Sequence, residues 1–278
     1  MPDRGEGRLS GTGAARAPVR IGVLGIAGRM GRLVAEEAEA TGGATALAGG
    51  TLGASGGEGP WAVFPDAGAL ASACDVLVDF TAASAAPGHA RAAAGAGVAL
   101  VLGTSGLSDE GEAAVAEAAR AVPVVYAANF SPGVNLAIAL AARMAAALPA
   151  REYDAEVVEM HHRRKVDSPS GTALALGRAV AAGRGTTLEA AGREAGRDGH
   201  HGPRAEGAVG FASLRGGAVV GEHALLFASD AEHIALVHRS FDRRVYATGA
   251  VRAALWAAAA PPGRAPGLYG MGDVLGVR

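Results

Sequence analysis

The stretch "VRIGVLGIAGRMGRL", Val19 to Leu33, decides how this chain folds. Val19–Leu24 is a short β-branched and aliphatic run, as in a buried strand, and "RMGRLVAEEAEA" from Arg29 reads as a helix. Between them stand Gly25 and Gly28, with Gly31 in the first helical turn. Glycines there let the backbone turn tightly and approach a pyrophosphate at the positive N-terminal end of the helix. The spacing is G-x-x-G-x-x-G, with Ala27 where the commoner G-x-G-x-x-G has its second glycine. Gly25, Ile26, Ala27, Gly28, Arg29 and Met30 are therefore a candidate dinucleotide turn, with Arg29 able to add a cation. The competing reading is a strand–helix turn that binds nothing; its place on the first strand of an alternating pattern favours the nucleotide.

Outward from this turn, short apolar strands alternate with alanine-rich helices. "ATALAG", "DVLVDFT", "VALVLGT" and "VPVVYA" are four further strands. Helices are expected at about 84–94 and 109–120. Strands apolar on both faces suit a parallel sheet covered on both sides, so the fold class is α/β, a Rossmann-type doubly wound sheet. Ligands of such sheets bind beyond the carboxyl ends of the strands. Three loops fall there: Val78–Thr81, Gly103-Thr104-Ser105 and Ala127-Ala128-Asn129-Phe130.

The pattern changes after Phe130. A long helix (about 133–147) precedes the strand "AEVVEM", and another helix starts near Gly171. Residues 183–206, rich in Gly and Arg, read as a mobile loop. "AVGFASLRGGAVVGEHALLFASDAEHIALVHRS" then reads as three alternating strands in an antiparallel meander, turning at Gly216-Gly217 and Ser229-Asp230. A last helix (about 243–258) returns to the first domain. The expected organisation is a disordered tail at 1–18, a nucleotide domain of 19–130 plus 240–278, and a smaller α+β substrate domain of 131–239 with an open mixed or antiparallel sheet.

Composition narrows the function classes. The formal net charge of −2 gives no electrostatic footprint for nucleic acid or an anionic membrane. The single cysteine, Cys74, allows no intrachain disulfide and fits a reducing compartment. The first 18 residues lack an apolar core of the secretory type. The most apolar long run, "GVNLAIALAARMAAALP", carries Asn135 and Arg143 and reads as a packed helix, not a membrane span.

The chemistry concentrates in "VEMHHRRKVDSPSGTA", Val158 to Ala173, which holds Lys165, the only lysine in the chain. The strand delivers His161 and His162 at its end, with Lys165 three to four residues on. Pro169 and a capping Ser168 or Ser170 start the next helix. No acidic residue follows from Gly171 to Val180, so the N–H groups of Gly171 and Thr172 form a candidate carboxylate site. A histidine can donate a proton near neutrality, and so can a lysine whose pKa is lowered, whereas an arginine cannot. Three readings compete: a surface histidine pair, a metal site using His161, His162, His200 and His201, and a basic nucleic-acid patch. The absence of a zinc-type ligand spacing and the surrounding arginines disfavour a metal. His223, His233 and His238 read as structural, and His89 as a helix-surface residue.

These residues carry a resemblance. "EMHHRRKVDSPSGTA" resembles the signature of the dihydrodipicolinate (4-hydroxy-tetrahydrodipicolinate) reductase family. "GIAGRMGR", "DFT", "GTSG", "AANFSPGVN", "RGGAVVGEH" and "GAVRAALW…GLYGMGDVLG" resemble its other motifs in order, over about 19–277. The resemblance implies an enzyme of diaminopimelate and lysine biosynthesis, cytoplasmic and homotetrameric. NADH or NADPH would give hydride to a small cyclic imine dicarboxylate, with no metal, nucleic acid or membrane involved. By position, His161 would be the proton donor/acceptor and Lys165 a proton donor. His162, Ser170, Gly171 and Thr172 would bind substrate. Gly25 to Met30, Gly103 to Ser105 and Ala127 to Phe130 would bind cofactor. Two departures bear on cofactor choice: "ATALAGGTLGAS" has no acid or arginine where the adenosine ribose is usually held, Thr51 standing near that place, and Ala82 replaces the family's common arginine after "DFT". The rivals are another two-domain Rossmann reductase, of homoserine or aspartate dehydrogenase type, and a non-catalytic nucleotide sensor.

Overall fold

The structure is a computed structural model describing residues 17–52, 59–258 and 264–277. The expectation for the tail 1–18 falls outside them, apart from Ala17 and Pro18. The first sheet is built from β1 (Val19–Leu24), β2 (Thr45–Gly50), β3 (Val76–Asp79), β4 (Ala99–Leu102), β5 (Pro123–Tyr126) and β11 (Gly267–Tyr269). All its pairings are parallel, in the order β2-β1-β3-β4-β5-β11. Val63 makes a one-residue parallel bridge to Gly50 outside β2. Counting Val63 as a strand position, the order is that of the doubly wound dinucleotide-binding sheet.

Alternation along each strand feeds two cores. Val76, Val78 and Val101 face a layer with α1 (Arg29–Ala40), α8 (Arg244–Ala258) and α9 (Met271–Leu275). Leu77, Leu100 and Leu102 face the opposite layer, with α2 (Ala67–Ala71), α3 (Ala86–Ala96) and α4 (Asp109–Ala118). The last long helix thus packs on the first sheet through Ala247, Ala250, Val251 and Ala254.

The second sheet joins β6 (Asp154–His161), β7 (Arg193–Ala195), β8 (Val209–Arg215), β9 (Gly221–Ala228) and β10 (His233–Ser240), in the order β10-β9-β6-β8-β7. One face packs on α5 (Pro132–Ala147) and α6 (Gly171–Gly183) through Ala155, Val157, Phe211, Leu225 and Phe227. The meander expected from sequence is not formed. Only β9 and β10 pair as a hairpin; β6 lies between β8 and β9, parallel to the first and antiparallel to the second. The reason is that β6 offers a full buried face, and the Gly216–Val220 link is long enough to arch over its end. Gly216 N–H donates to the His161 carbonyl at 2.9 Å, and Arg163 N–H to that of Gly217 at 3.3 Å.

Residues 183–206 also depart from expectation, since they hold α7 (Leu188–Ala191) and the edge strand β7. Two of their arginines are tied to β6: Arg197 donates two hydrogen bonds to Glu156, and Arg204 bridges Asp154 and Glu156. Glycine and arginine content alone could not reveal those acceptors on β6.

Candidate active site

The turn after β1 has the geometry of an anion cradle. Gly25 takes φ 67°, which favours glycine. A methyl group on Gly31 would lie 2.2 Å from the Gly25 carbonyl oxygen, so only glycine lets α1 approach the turn this closely. Gly28 precedes α1 without a side-chain cap, and no acid occupies the first turn. Thr51, where an acid would usually meet the ribose, instead braces the turn: its Oγ1 accepts from Gly25 N–H at 3.2 Å and its carbonyl from Ile26 N–H at 2.9 Å. Ile26 is fully buried, and Arg29 is exposed.

Next to it a cleft of about 930 Å³ lies between the two sheets' loops. Met30, Gly103, Ser105 and Ala127 to Phe130 line it from the first sheet; His161, His162, Lys165, Ser170, Gly171 and Thr172 line it from the second. Gly25 to Arg29 and Thr104 are not on its wall. Thr104 is buried and donates to the Thr81 carbonyl at 3.1 Å. Arg178, Arg243 and Tyr246 also line the cleft, and sequence reading did not single them out. A second cavity, of about 1080 Å³, opens beyond β2 and β3, lined by Thr51, Ser84, His89 and Arg91 among others.

The alternation of β6 buries Ala155, Val157, Glu159 and His161 on one face. Two apolar residues fill the core; of the next two, His161 lines the cleft and Glu159 lies buried beside it. His161 Nδ1 lies 2.5 Å from Glu159 Oε2. Arg215 grips the same carboxylate with both guanidinium nitrogens, at 2.9 and 2.8 Å, and Ser170 N–H donates to its Oε1 at 3.2 Å. Burial opposes the Glu159 charge, but hydrogen bonds from Arg215, Ser213 and His161 outweigh it and hold its carboxyl down at about 2. Burial lowers the pKa of His161, with Lys165 and Arg215 adding to the effect against the pull of Glu159.

Sequence reading missed Glu159, although its place two residues before His161 puts it on the same strand face. Arg215 was hidden by the wrong strand neighbour: β8 lies beside β6, with Arg215 in register with His161.

Lys165 Nζ pairs with Asp167 Oδ1 at 2.9 Å, and its backbone closes a turn onto the His162 carbonyl. The hydrogen bond from Lys165 is the main cause of a lowered Asp167 pKa. The buried Nδ1 of His162 has no hydrogen-bond partner among the described residues, as expected of a group that awaits a ligand. Ser170 caps α6 by accepting from Ala173 N–H at 3.2 Å, and its hydroxyl also meets His223 Nε2 at 3.3 Å. Among the described residues the Gly171 and Thr172 N–H groups have no hydrogen-bond acceptor, and α6 has no acid in its first turn. These are the properties of a carboxylate site.

Other histidines sort differently. His223 and His238 face each other across β9 and β10, and His238 Nε2 lies 3.5 Å from the Ser131 hydroxyl that caps α5. His89 is not a plain surface residue: its Nδ1 is 2.7 Å from the fully buried Asp79, because the end of β3 packs under α3. The two histidine pairs do not converge, as His201 lines a separate cavity with Arg193, Arg197 and Arg204.

Residues 19–130 match the family model described as dihydrodipicolinate reductase, N-terminus, and residues 133–275 the one described as its C-terminus. A 4-hydroxy-tetrahydrodipicolinate reductase of Granulibacter bethesdensis is 61% identical over 264 residues, 94% of this chain and 98% of the relative. That of Gluconacetobacter diazotrophicus is 58% identical over 259 residues, 93% of this chain and 98% of the relative. Among solved structures, a dipicolinate-bound dihydrodipicolinate reductase from Paenisporosarcina sp. TG-14 shares the fold. Its TM-score is 0.75 at 22% identity, over 92% of this chain and 99% of that one. A diaminopimelate (DAP) dehydrogenase of C. glutamicum shares it more distantly, with a TM-score of 0.55 at 15% identity, over 92% and 95%. The turn after β1, the paired histidines beside Lys165 and the Gly171 and Thr172 N–H groups at the start of α6 therefore stand in a chain that belongs to the dihydrodipicolinate reductase family.

Proposed function

We propose that this protein reduces 4-hydroxy-tetrahydrodipicolinate to tetrahydrodipicolinate with NADH or NADPH, in the diaminopimelate route to lysine. The observation that carries this reading is one cleft. It brings His161, Lys165 and the N–H groups of Gly171 and Thr172 opposite the carboxyl-end loops of a doubly wound sheet. The Gly25–Met30 turn fits a pyrophosphate, since its glycines leave the approach open and its helix start carries no side-chain cap. Gly103 to Ser105 and Ala127 to Phe130 would line the nicotinamide side. The cavity beyond β2 and β3 suits the adenosine end, and it presents both Arg91 and Asp66, so its charge does not select one cofactor.

A bound nicotinamide would supply hydride to the conjugated imine ring. The ring carbon left electron-rich takes a proton, which His161 delivers from Nε2. Before the hydride step, Lys165 donates a proton to the departing hydroxyl, which leaves as water while the neighbouring ring carbon gives up a proton to solvent and the conjugated imine forms; Lys165 also steadies a carboxylate. His162, Ser170, Gly171 and Thr172 hold the other carboxylate. Overall, substrate, one hydride and one proton give tetrahydrodipicolinate and water. The nucleotide unit would be 19–130 with 240–278, and 131–239 the substrate unit. Its open sheet face would carry a homotetramer in the cytoplasm. Among the described residues no helix is long and apolar enough to cross a membrane.

Crystals soaked with pyridine-2,6-dicarboxylate and cofactor test this assignment. A carboxylate on the Gly171 and Thr172 N–H groups is the expected result, and a ligand bound away from α6 would refute it.

A further inference from the structure

Glu159 is 1% exposed, yet its two oxygens meet four donors besides the Ser213 hydroxyl. Oε2 faces His161 Nδ1 at 2.5 Å and one Arg215 nitrogen at 2.9 Å; Oε1 takes the other Arg215 nitrogen at 2.8 Å and Ser170 N–H at 3.2 Å. An ionised carboxylate only accepts hydrogen bonds, so His161 must carry a proton on Nδ1. Its exchangeable position is then Nε2, for which no hydrogen bond is recorded among the described residues. The residue beside Nε2 is Gly221, where a methyl group would stand 3.1 Å from that nitrogen. Space in front of the reacting atom is therefore kept by the lack of a side chain on β9.

The same carboxylate reaches the substrate anchor. Ser170 is the N-cap of α6, and its N–H is fixed on Glu159 Oε1 while its hydroxyl is fixed by Ala173 N–H and His223. Arg215 extends the frame to the β6–α6 connection by donating to the Asp167 carbonyl at 2.6 Å. One buried anion thus joins the ring that would transfer the proton to the helix start that would hold the carboxylate.

We infer that Glu159, locked by Arg215, is a positioning residue that fixes the Nδ1–H tautomer of His161 and sets Nε2 against the carboxylate-binding turn of α6. This rests on the reading of His161 as proton donor. The charged and titratable groups facing His161 are Glu159 on its own strand, Arg215 on β8, His223 on β9 and Lys165 and Asp167 on the connection. Glu159 is the group that favours imidazolium, against burial, Lys165 and Arg215. Removing its charge therefore makes His161 harder to protonate. A carboxyl that served stability alone would not govern the tautomer.

The test combines ¹⁵N NMR of the His161 ring with pH profiles of kcat and KM. In the unmodified protein, neutral His161 is expected to show a proton on Nδ1 and none on Nε2; a resting Nε2–H tautomer overturns the inference whatever the variants do. Glu159→Gln keeps the shape but turns one oxygen into a donor. It is expected to populate Nε2–H, move the His161 limb of the kcat profile to lower pH, and cut kcat by about 10²-fold or more. It should raise KM for the cyclic imine but not for the nucleotide. Arg215→Lys, which keeps the cation, is expected to retain the Nδ1–H tautomer and most of the rate. A folded Glu159→Gln protein with the tautomer and the limb unchanged refutes the role. If Glu159→Gln does not fold, Arg215→Lys and the unmodified ring decide by the same criteria. Failure of the unmodified protein to turn over the cyclic imine would sink the proposed function instead, and leaves the tautomer measurement to stand by itself.

Discussion

Asn129 donates a side-chain hydrogen bond to Thr172 Oγ1 at 3.2 Å. The first residue belongs to the loop after β5 on the first-sheet side of the cleft; the second belongs to the first turn of α6. Asn129 is itself held from both ends, its Oδ1 accepting from Ser131 N–H at 2.8 Å and its carbonyl from the Asn135 side chain at 2.8 Å. A rigid side chain thus ties the two halves of the cleft together. Such a bond contributes about 1 kcal/mol net, close to a fivefold change in affinity. Asn129→Ala and Thr172→Val should each weaken dipicolinate binding to the cofactor-loaded protein by about that factor. The double variant should lose less than the product of the two, because they share one bond. Calorimetric titration of the four proteins checks this, and fully additive losses would remove the coupling.

Lys165 is the residue where charge and proton chemistry part. Its Nζ reaches Asp167 at 2.9 Å and its side chain lines the cleft. Lys165→Arg keeps the cation and the ion pair but cannot give up a proton. The rate of NADH oxidation with the cyclic imine should fall by roughly 10²- to 10⁴-fold. A loss under about threefold would mean that this position needs charge alone.

Gly31 makes the cofactor turn testable without touching the reacting groups. A methyl there meets the Gly25 carbonyl oxygen at 2.2 Å, and the obstacle is backbone, which cannot swing aside. Gly31→Ala should cost about 1–3 kcal/mol of stability through overpacking. It should also weaken NADH binding, measured by fluorescence titration, while dipicolinate binding to the free protein stays unchanged.

The reach of sequence reading differs between the two halves for physical reasons. Five strands of the first sheet, β1 to β5, were legible because each is a short apolar run set off by glycines or helical stretches, whereas the three-residue edge strand β11 carries too little pattern to be read. The site residues His161, His162, Lys165 and Ser170 to Thr172 were legible because they sit within one strand–loop–helix segment. Arg215 was not, since its place beside Glu159 depends on β6 entering between β8 and β9, a long-range pairing that local alternation does not encode. Asp79 and His89 were missed for a similar reason: a histidine on a mostly small-residue helix gives no sign of the buried carboxylate beneath it.

Acid should destabilise this protein before its carboxylates titrate. Burial, with the charges of His161 and His238, pushes His223 down from 6.5 to about 4. The pKa values of His161 and His238 are lowered as well, each mainly by burial. The unfolded chain therefore takes up protons first as the pH drops below 6.5, and the stability from the neutral rings is lost on the way down. His223 alone accounts for about 3 kcal/mol by pH 4. Urea unfolding between about pH 7 and pH 4.5 should show this slope, and His223→Gln should flatten it. Constant stability over that window would contradict buried neutral histidines.

The central claim is the reaction, and a steady-state assay reaches it most directly. Purified protein given 4-hydroxy-tetrahydrodipicolinate should oxidise both NADH and NADPH, with kcat/KM values within about tenfold of each other, and form tetrahydrodipicolinate in step with cofactor loss. Oxidation of neither cofactor above the enzyme-free rate would contradict it.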